Sequence, residues 1–248
     1  MIEAHGLVKR FGSTVAVDAV GFSVPPGTVF GLLGPNGAGK TTTLRILATL
    51  IAADAGTASV LGHDVARDAE AVRRSIGVVN GGMGLYDRLT GRETLRWFGD
   101  LYGMERAAID ARIERLSEIL DLGETLDRRC GDFSTGMKQK IVIARAVIHD
   151  PPVLFFDEAS SGLDVLARRA LLDFARTYPS SQRAVIWSTH VMSEAEELCD
   201  RVGIVVGGRL IDEGAVAELR ERADDAPNLE EAFFRLVRRA GLAGEVAA

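Results

Sequence analysis

The sequence has few cysteines, few aromatic residues and no long apolar run. Its two cysteines, Cys130 and Cys199, stand far apart without a Cys-x-x-Cys or Cys/His spacing, so neither a disulfide framework nor a zinc site is indicated. We predict that both are buried or half-buried thiols. No segment approaches the ~20 consecutive apolar residues of a membrane span, and the N-terminus lacks the pattern of a signal peptide. We therefore expect a cytosolic chain.

Basic residues do not outnumber acidic ones. The chain has 29 Lys and Arg against 35 Asp and Glu, which gives a formal net charge of −6. This balance supplies no positive field for nucleic acid, so we predict no nucleic-acid partner. Internal repeats and low-complexity tracts are also lacking, and 248 residues with 47% hydrophobic content can form one compact domain with a substantial core.

Short apolar runs alternate with helical patterns along most of the chain. Buried strands are predicted over 28–33, 76–79, 153–156, 184–187 and 202–206, and helices over 40–51, 92–102, 107–120, 134–148, 166–177 and 192–199. This alternation predicts an α/β fold with a parallel core sheet. Strand-like pieces at 2–8, 15–17, 22–24 and 57–61 predict an N-terminal antiparallel β section, and the turn Gly207-Gly208 predicts a hairpin.

One stretch departs from this alternation, because helix follows helix from 82 to 148 with no convincing strand. We predict an inserted helical lobe there, with 1–81 and 149–222 forming the catalytic unit and 223–248 carrying a C-terminal helix over 228–240. That amphipathic helix has three possible uses: packing on the domain, extending a dimer contact, or meeting anionic lipid headgroups.

A phosphate-binding loop follows the first predicted core strand. Residues 34–41 fit G-x-x-x-x-G-K-[ST] between a strand and a helix, where inward backbone N–H groups and the helix dipole favour phosphate. Lys40 would neutralise β- and γ-phosphate charge, and the hydroxyl of Thr41 would bind Mg²⁺. A glycine-rich turn that merely contains lysine is the alternative, which both flanks disfavour. The candidate phosphate contacts are Asn36, Gly37, Ala38, Gly39, Lys40, Thr41 and Thr42.

Two later strands end in polar side chains at the sheet edge where ligands of open α/β sheets bind. Asp157 is placed to hold Mg²⁺, and Glu158 is placed to orient or deprotonate a water that attacks the γ-phosphate. His190 follows the next strand as a candidate γ-phosphate contact. Solvated acids and a surface histidine are the alternatives. We prefer the surface interpretation for His5, His63 and His149, with a cationic helix-end role also open for His149.

The segment 133–140 adds a distinctive sequence, Phe-Ser-Thr-Gly-Met-Lys-Gln-Lys, ahead of the acidic pair. In this order and spacing the motifs resemble those of the nucleotide-binding subunit of an ATP-binding cassette (ABC) transporter. The resemblance implies a P-loop NTPase fold of the ABC-type ATPase, ATP and Mg²⁺ as cofactors, and a head-to-tail homodimer with ATP at the interface. It further implies an integral membrane permease as partner and a peripheral position on the cytoplasmic side of the cell membrane.

The same resemblance implies roles for individual residues. Phe11 stands where an aromatic stacks on adenine, and Val17 lies near the nucleotide. Asp164 corresponds to an acid that crosses the dimer interface. The signature residues that would close over ATP held by the other copy are Ser134, Thr135, Gly136 and Met137, which also suit an anion site because they begin a helix.

The sequence departs from the family pattern after the strand 76–79. Most relatives have a glutamine or glutamate that contacts Mg²⁺, and Gly81 stands at that position. Either Asn80 or water substitutes, or coupling relies on the loop backbone and the segment 85–90. Thr135, Met137 and the pair Ala159-Ser160 also differ from the usual residues. The stretches 84–95 and 133–140 are most similar to the bacterial sodium-export and drug-export branch.

Three functions fit these observations. The first is a transport ATPase that powers export of Na⁺ or a drug-like substrate, with a groove for a helix of the membrane protein lined by Leu85, Tyr86, Leu95, Trp97, Phe98, Leu101 and Tyr102. The same side chains could instead be lobe core. The second is a soluble ATPase acting on DNA or ribosomes, for which the sequence shows no coiled coil, second cassette or basic arm. The third is a nucleotide switch with weak or partner-dependent hydrolysis.

Overall fold

A computed structural model describes residues 1–82 and 84–245 of the chain. Met83 and residues 246–248, which belong to the predicted helical lobe and to the predicted C-terminal region, lie outside the described residues. The strands are β1 (Ile2–Phe11), β2 (Thr14–Val24), β3 (Val29–Leu33), β4 (Ala55–Val60), β5 (His63–Asp64), β6 (Ile76–Asn80), β7 (Val153–Asp157), β8 (Ala184–Thr189), β9 (Arg201–Val206) and β10 (Arg209–Ala215). The helices are α1 (Lys40–Leu47), α2 (Ala69–Ser75), α3 (Gly91–Leu101), α4 (Arg106–Leu120), α5 (Thr135–Val147), α6 (Val165–Thr177), α7 (Met192–Leu198), α8 (Val216–Arg222) and α9 (Leu229–Arg239).

The core sheet has six strands in the order β10-β9-β3-β8-β7-β6, of which β9, β3, β8, β7 and β6 run parallel. β3 is central, since Val29 pairs with Val185 of β8 and Phe30 with Arg201 of β9. Every residue of β3, β7 and β8 is buried, which explains their continuous apolar sequences. The predicted α/β class and parallel core are confirmed, and β9 and β10 form the predicted hairpin.

A second sheet, in the order β2-β1-β4-β5, is antiparallel and contains the N-terminal strands. The predicted pieces 15–17 and 22–24 belong to one strand, β2. The sequence pattern divided β2 into two pieces because Ala19 has φ 55 and the pairing with β1 changes register. The alternation of apolar residues is interrupted at this irregularity.

Helices α3, α4 and α5 form the region predicted as a lobe, and between 84 and 148 the structure shows no strand longer than an isolated bridge. Their buried faces share one core with helices α6 to α9. The sequence did not reveal α2 or α8, because each buries a single apolar residue, Val72 or Leu219, and so lacks the periodicity of an amphipathic helix. The boundaries of the proposed subdomains stay a prediction.

The C-terminal helix α9 buries Leu229, Ala232, Phe233, Leu236 and Val237 against the domain. Its basic residues have partners within the chain, since Arg235 pairs with Glu231 and Arg239 with Asp224. Of the three uses considered, packing on the domain is therefore the observed one. Within 1–82 and 84–245, no helix combines the length and the apolar character that crossing a bilayer requires.

Candidate nucleotide site

The phosphate-binding loop connects β3 to α1 and has a tightly enclosed backbone. Gly39 adopts φ 98, and a Cβ at this position would lie 2.3 Å from the carbonyl oxygen of Ala16. Only glycine satisfies both constraints. The turn between β9 and β10 supports the loop from outside, because the Gly208 N–H donates to the carbonyl of Ala38 over 3.1 Å.

Lys40 opens α1 and is almost fully buried. Its ammonium donates to the carbonyls of Gly34 at 2.7 Å and Pro35 at 2.9 Å, and lies 3.5 Å from Oε1 of Glu158. Burial lowers the pKa of Lys40 and the nearby carboxylate of Glu158 opposes that shift. The side chain is therefore held in place at the loop as a desolvated cation beside the acidic pair Asp157 and Glu158.

Asp157, at the end of β7, accepts hydrogen bonds from two hydroxyl groups. Its Oδ1 accepts from Oγ1 of Thr41 at 2.9 Å and from Oγ of Ser188 at 3.2 Å. Ser188 was missed in the sequence, although it is a polar residue near the end of an apolar strand. The described residues contain no group of three or more His, Cys, Asp or Glu side chains that could hold a metal by themselves. A hydroxyl beside one carboxylate nevertheless fits Mg²⁺, which takes few protein ligands and completes its shell with water and phosphate.

Glu158 has an unusual backbone conformation for a glutamate, with φ 48. Its N–H donates to the carbonyl of Ser188 at 3.0 Å, and its own carbonyl accepts from Ser161 at 3.1 Å. Strained backbone of this kind costs on the order of 1–3 kcal/mol and is concentrated at functional sites. Here it directs the carboxylate towards both Lys40 and His190, whose Nδ1 lies 3.5 Å from Oε1.

The strand end at Asn80 and Gly81 borders the same region. Asn80 is in register with Asp157 on the neighbouring strand, and the Gly81 N–H donates to the Asp157 carbonyl at 3.0 Å. A small cavity of ≈ 230 Å³ is lined by Thr41, Arg45, Asn80, Gly81, Asp157, Glu158 and Ser161. Asn80 thus contributes an amide to the cavity that Thr41 and the acidic pair share.

The remaining residues expected to contact the nucleotide, on its adenine and its phosphates, are only partly accessible. Phe11 is 51% exposed, with the Lys9 ammonium 5.6 Å from its ring centroid, and Asn36 and Gly37 are exposed as well. Thr42 is half-buried at the start of α1. The prediction that Val17 contacts the nucleotide is corrected, because Val17 has 0% exposure and packs in the core. Its side chain offers no surface to a nucleotide.

The signature residues lie elsewhere, beside a separate cleft of ≈ 960 Å³ between α4, α5 and α6. Ser134 caps α5 by accepting from the Met137 N–H at 3.3 Å, and Asp164 caps α6 by accepting from the Ala167 N–H at 2.9 Å. Ser134 and Thr135 are exposed. Among the described residues a Cβ at Gly136 would meet only Ala167, at 3.8 Å, so this part of the fold does not require glycine there. The structure therefore places the candidate residues in two separate sets, one at the phosphate loop and the acidic pair and the other at the signature residues.

Only some of the residues predicted to line the docking groove are exposed at the surface. Tyr86, Trp97, Leu101 and Tyr102 are exposed, with Tyr86 and Trp97 in edge-on contact at 5.2 Å, whereas Leu85 and Phe98 are half-buried. Leu95 is a correction, because it has 0% exposure and belongs to the lobe core. Leu50, which the sequence did not single out, is 65% exposed.

His149 also differs from its predicted surface position. Its ring stacks on Tyr102 with a centroid distance of 3.6 Å, and Nε2 lies 3.0 Å from the carbonyl of Ile76. Burial lowers the pKa of His149 to about 4, so the imidazole is neutral at neutral pH and the cationic helix-end interpretation is wrong. Both cysteines are buried free thiols, as predicted.

The six-stranded sheet, the phosphate loop and the acidic strand end define a P-loop nucleotide-binding protein. The family model described as "ABC transporter" matches residues 17–161. The chain is 43% identical over 213 residues to the ABC transporter ATP-binding protein NatA of Bacillus subtilis, covering 85% of this chain and 87% of that one. The chain belongs to the ABC transporter family, as an ATP-binding subunit of the export branch.

Further relatives and solved structures agree with this assignment. The daunorubicin/doxorubicin resistance ATP-binding protein DrrA of Streptomyces peucetius is 41% identical over 219 residues, which cover 88% of this chain and 66% of the relative. A solved ATP-binding subunit of an ABC transporter superposes with a TM-score of 0.87 at 31% identity, over 96% of this chain and 99% of the other. The fold is thus that of an ABC ATPase cassette.

Proposed function

We propose that this chain hydrolyses ATP with Mg²⁺ and powers export through a separate membrane permease. The observation that carries the proposal is the position of the Glu158 carboxylate, whose Oε1 lies 3.5 Å from both the Lys40 ammonium and Nδ1 of His190. A base, a cation and an imidazole around one point suit attack of water on a terminal phosphate.

Each residue then has a separate role. Lys40 and the N–H groups from Gly37 to Thr41 bind the phosphates, and Thr41 and Asp157 hold Mg²⁺, which when bound neutralises charge on the β- and γ-phosphate oxygens. Glu158 orients the attacking water and accepts its proton. His190 donates a hydrogen bond to the γ-phosphate, while Phe11, which is 51% exposed, stacks on the adenine.

The second set of residues supports a head-to-tail homodimer. Ser134, Thr135, Gly136 and Met137 present a helix N-terminus at a cleft that contains none of the phosphate-loop residues. Gly136 has no steric requirement within its own chain, which suits close approach of something from outside. In the dimer, ATP on one copy is closed by the signature of the other, and Asp164 lies near the junction.

The family assignment also supports a partner surface and a location. The exposed side chains of Tyr86, Trp97, Leu101 and Tyr102 form a surface suited to a short helix of the permease, and Leu50 extends it. The chain would then be peripheral on the cytoplasmic side of the membrane. The substrate is a drug-like organic molecule or Na⁺, and the name of the daunorubicin/doxorubicin resistance protein DrrA favours an organic one.

The test is phosphate release from purified protein with Mg-ATP, beside light scattering on the same samples. Glu158→Gln should lower turnover by about 10²–10⁴-fold, because a general base is lost, and should accumulate an ATP-bound dimer. Glu118→Gln, an exposed glutamate on α4, is the matched control and should behave as wild type. A wild type and a Glu158→Gln variant that turn over equally would contradict the assignment of the base.

A nucleotide switch is the second candidate, and Gly81 is the observation that favours it, because it offers no side chain to the metal or the water. Under this alternative wild type binds Mg-ATP and dimerises, yet releases no phosphate by itself. Addition of the permease in membranes separates partner-dependent hydrolysis from a pure switch.

A further inference from the structure

A fully buried glutamate, Glu194 in the first turn of α7, joins three functional segments. Its exposure is 1%, and its carboxylate is held by two hydrogen bonds and one ion pair. Oε2 accepts from Oγ of Ser160 and from Oγ1 of Thr189, each at 2.9 Å, while Oε1 lies 2.8 Å from Nε of Arg168. No phosphate-loop, metal or signature residue takes part in this cluster.

The partners of Glu194 stand beside residues of the proposed mechanism. Thr189 immediately precedes His190, and its hydroxyl also accepts from the Val191 N–H at 3.0 Å, so the backbone on both sides of His190 is fixed. Ser160 lies two residues after Glu158, in the segment that leads to Asp164. Arg168 is in the first turn of α6, the helix that Asp164 caps.

The contacts of Ser160, Thr189 and Arg168 depend on one another because they share the carboxylate of Glu194. Two hydroxyl donors share one carboxylate oxygen, so moving Ser160 changes the position of the oxygen that holds Thr189. A carboxylate buried to this degree costs free energy unless all its partners remain, which opposes independent movement of the segments. A displacement at the Asp164 segment is thereby passed to the backbone of His190.

We infer that Glu194 is a positioning residue that couples the segment 159–164 to His190. In the homodimer of the proposed function, on which this inference rests, approach of the second copy near Asp164 would set the orientation of the imidazole. Hydrolysis would then depend on dimer closure through Ser160, Glu194 and Thr189 in addition to the signature contact.

The first test needs no nucleotide. The chain has four histidines, so ¹³C-histidine labelling gives four ring signals, and His190→Asn assigns the signal of interest. Ser160→Ala should shift the His190 signal while leaving His5 and His63 unchanged. Thr177→Ala removes a hydroxyl that bonds only within its own helix and should leave His190 unmoved. An unchanged His190 signal in Ser160→Ala overturns the inference. Glu194→Gln replaces that variant if folded protein is not obtained.

The second test is kinetic. Thr189→Val should lower kcat by roughly 10- to 100-fold with KM little changed, since a small misplacement of a catalytic group has that effect. Thr189→Ser keeps the hydroxyl and should restore turnover. Equal losses in the Val and Ser variants, or none in either, overturn the inference. A wild type that releases no phosphate contradicts the proposed function alone, and the histidine signals then decide on the coupling.

Discussion

A side chain at position 81 would collide with the backbone of Glu158. An ideal Cβ on Gly81 lies 2.5 Å from the Glu158 carbonyl oxygen, and the Gly81 N–H already donates to the carbonyl of Asp157 at 3.0 Å. Glycine is thus required by the close fit between the end of β6 and the acidic pair. The glycine at position 81 is part of the local geometry of the site.

We therefore expect Gly81→Gln to impair the protein instead of improving it. The added Cβ must displace Glu158 or the strand end, and a shift of this kind should lower kcat by about 10-fold or more. Phosphate release measures the effect. Gly84→Ala is the control, because a Cβ there meets none of the described residues within 4 Å. Turnover of Gly81→Gln equal to or above wild type would show that the loop accommodates the side chain.

Asn80→Ala should raise the Mg²⁺ requirement. Asn80 lines the cavity that contains Thr41 and Asp157, and loss of a supporting ligand in a metal site typically costs about 10–100-fold in metal affinity. Phosphate release over a Mg²⁺ titration and Mn²⁺ binding by electron paramagnetic resonance both report it. Asn228→Ser, which keeps a capping oxygen at α9, is the control. Unchanged metal affinity would assign the position to water.

Folding stability should fall as the pH drops from about 6.5 towards 4, because of His149. The folded protein holds the pKa of His149 at about 4, below its ordinary value of 6.5, so the unfolded chain binds the proton first. The contribution is fully present above pH 6.5 and is lost as the pH falls to about 4. Urea unfolding of His149→Asn should show a weaker pH dependence in this window, whereas exposed His63→Asn should follow wild type.

The capping box of α3 should be worth about 1 kcal/mol. The Thr90 hydroxyl accepts from the Glu93 N–H at 3.1 Å and the Glu93 carboxylate accepts from the Thr90 N–H at 2.8 Å. Thr90→Ala should lower the free energy of unfolding by that amount, as measured in urea. Thr177→Ala, whose hydroxyl caps no helix N-terminus, should have a smaller effect. Equal losses in the two variants would contradict a capping contribution.

The sequence predicts the parts of the site that rest on local chemistry. A phosphate loop between a strand and a helix, and acids at the end of an apolar strand, follow from backbone dipoles and side-chain alternation over a few residues. The proximity of Thr41 and Asp157 was predictable for this reason, because the sequence assigned both to one Mg²⁺. The left-handed backbone of Glu158 and the lack of room at Gly81 were not, because both arise from the meeting of distant strands.

The errors have similar causes. Leu95 and Trp97 both suit a groove by composition, and only the packing of α3 on its neighbours makes Leu95 core and leaves Trp97 40% exposed. Val17 is buried because its strand, β2, packs it into the core. Glu194 gave no signal at all, since one acid in a polar stretch resembles any surface glutamate until its hydroxyl partners are brought to it by β8 and the segment 159–164.

The central position of β3 in the core sheet affects the folding of the chain during its synthesis. The phosphate loop is synthesised long before the strands that flank β3, because β3, which anchors the loop, pairs with β8 and β9, and these end at Thr189 and Val206. The N-terminal sheet, by contrast, has all its strands by Asp64. A nascent chain therefore carries the loop without the two strands that flank β3 until Val206 has been synthesised. We expect that nucleotide cannot act as a folding template before that point of translation.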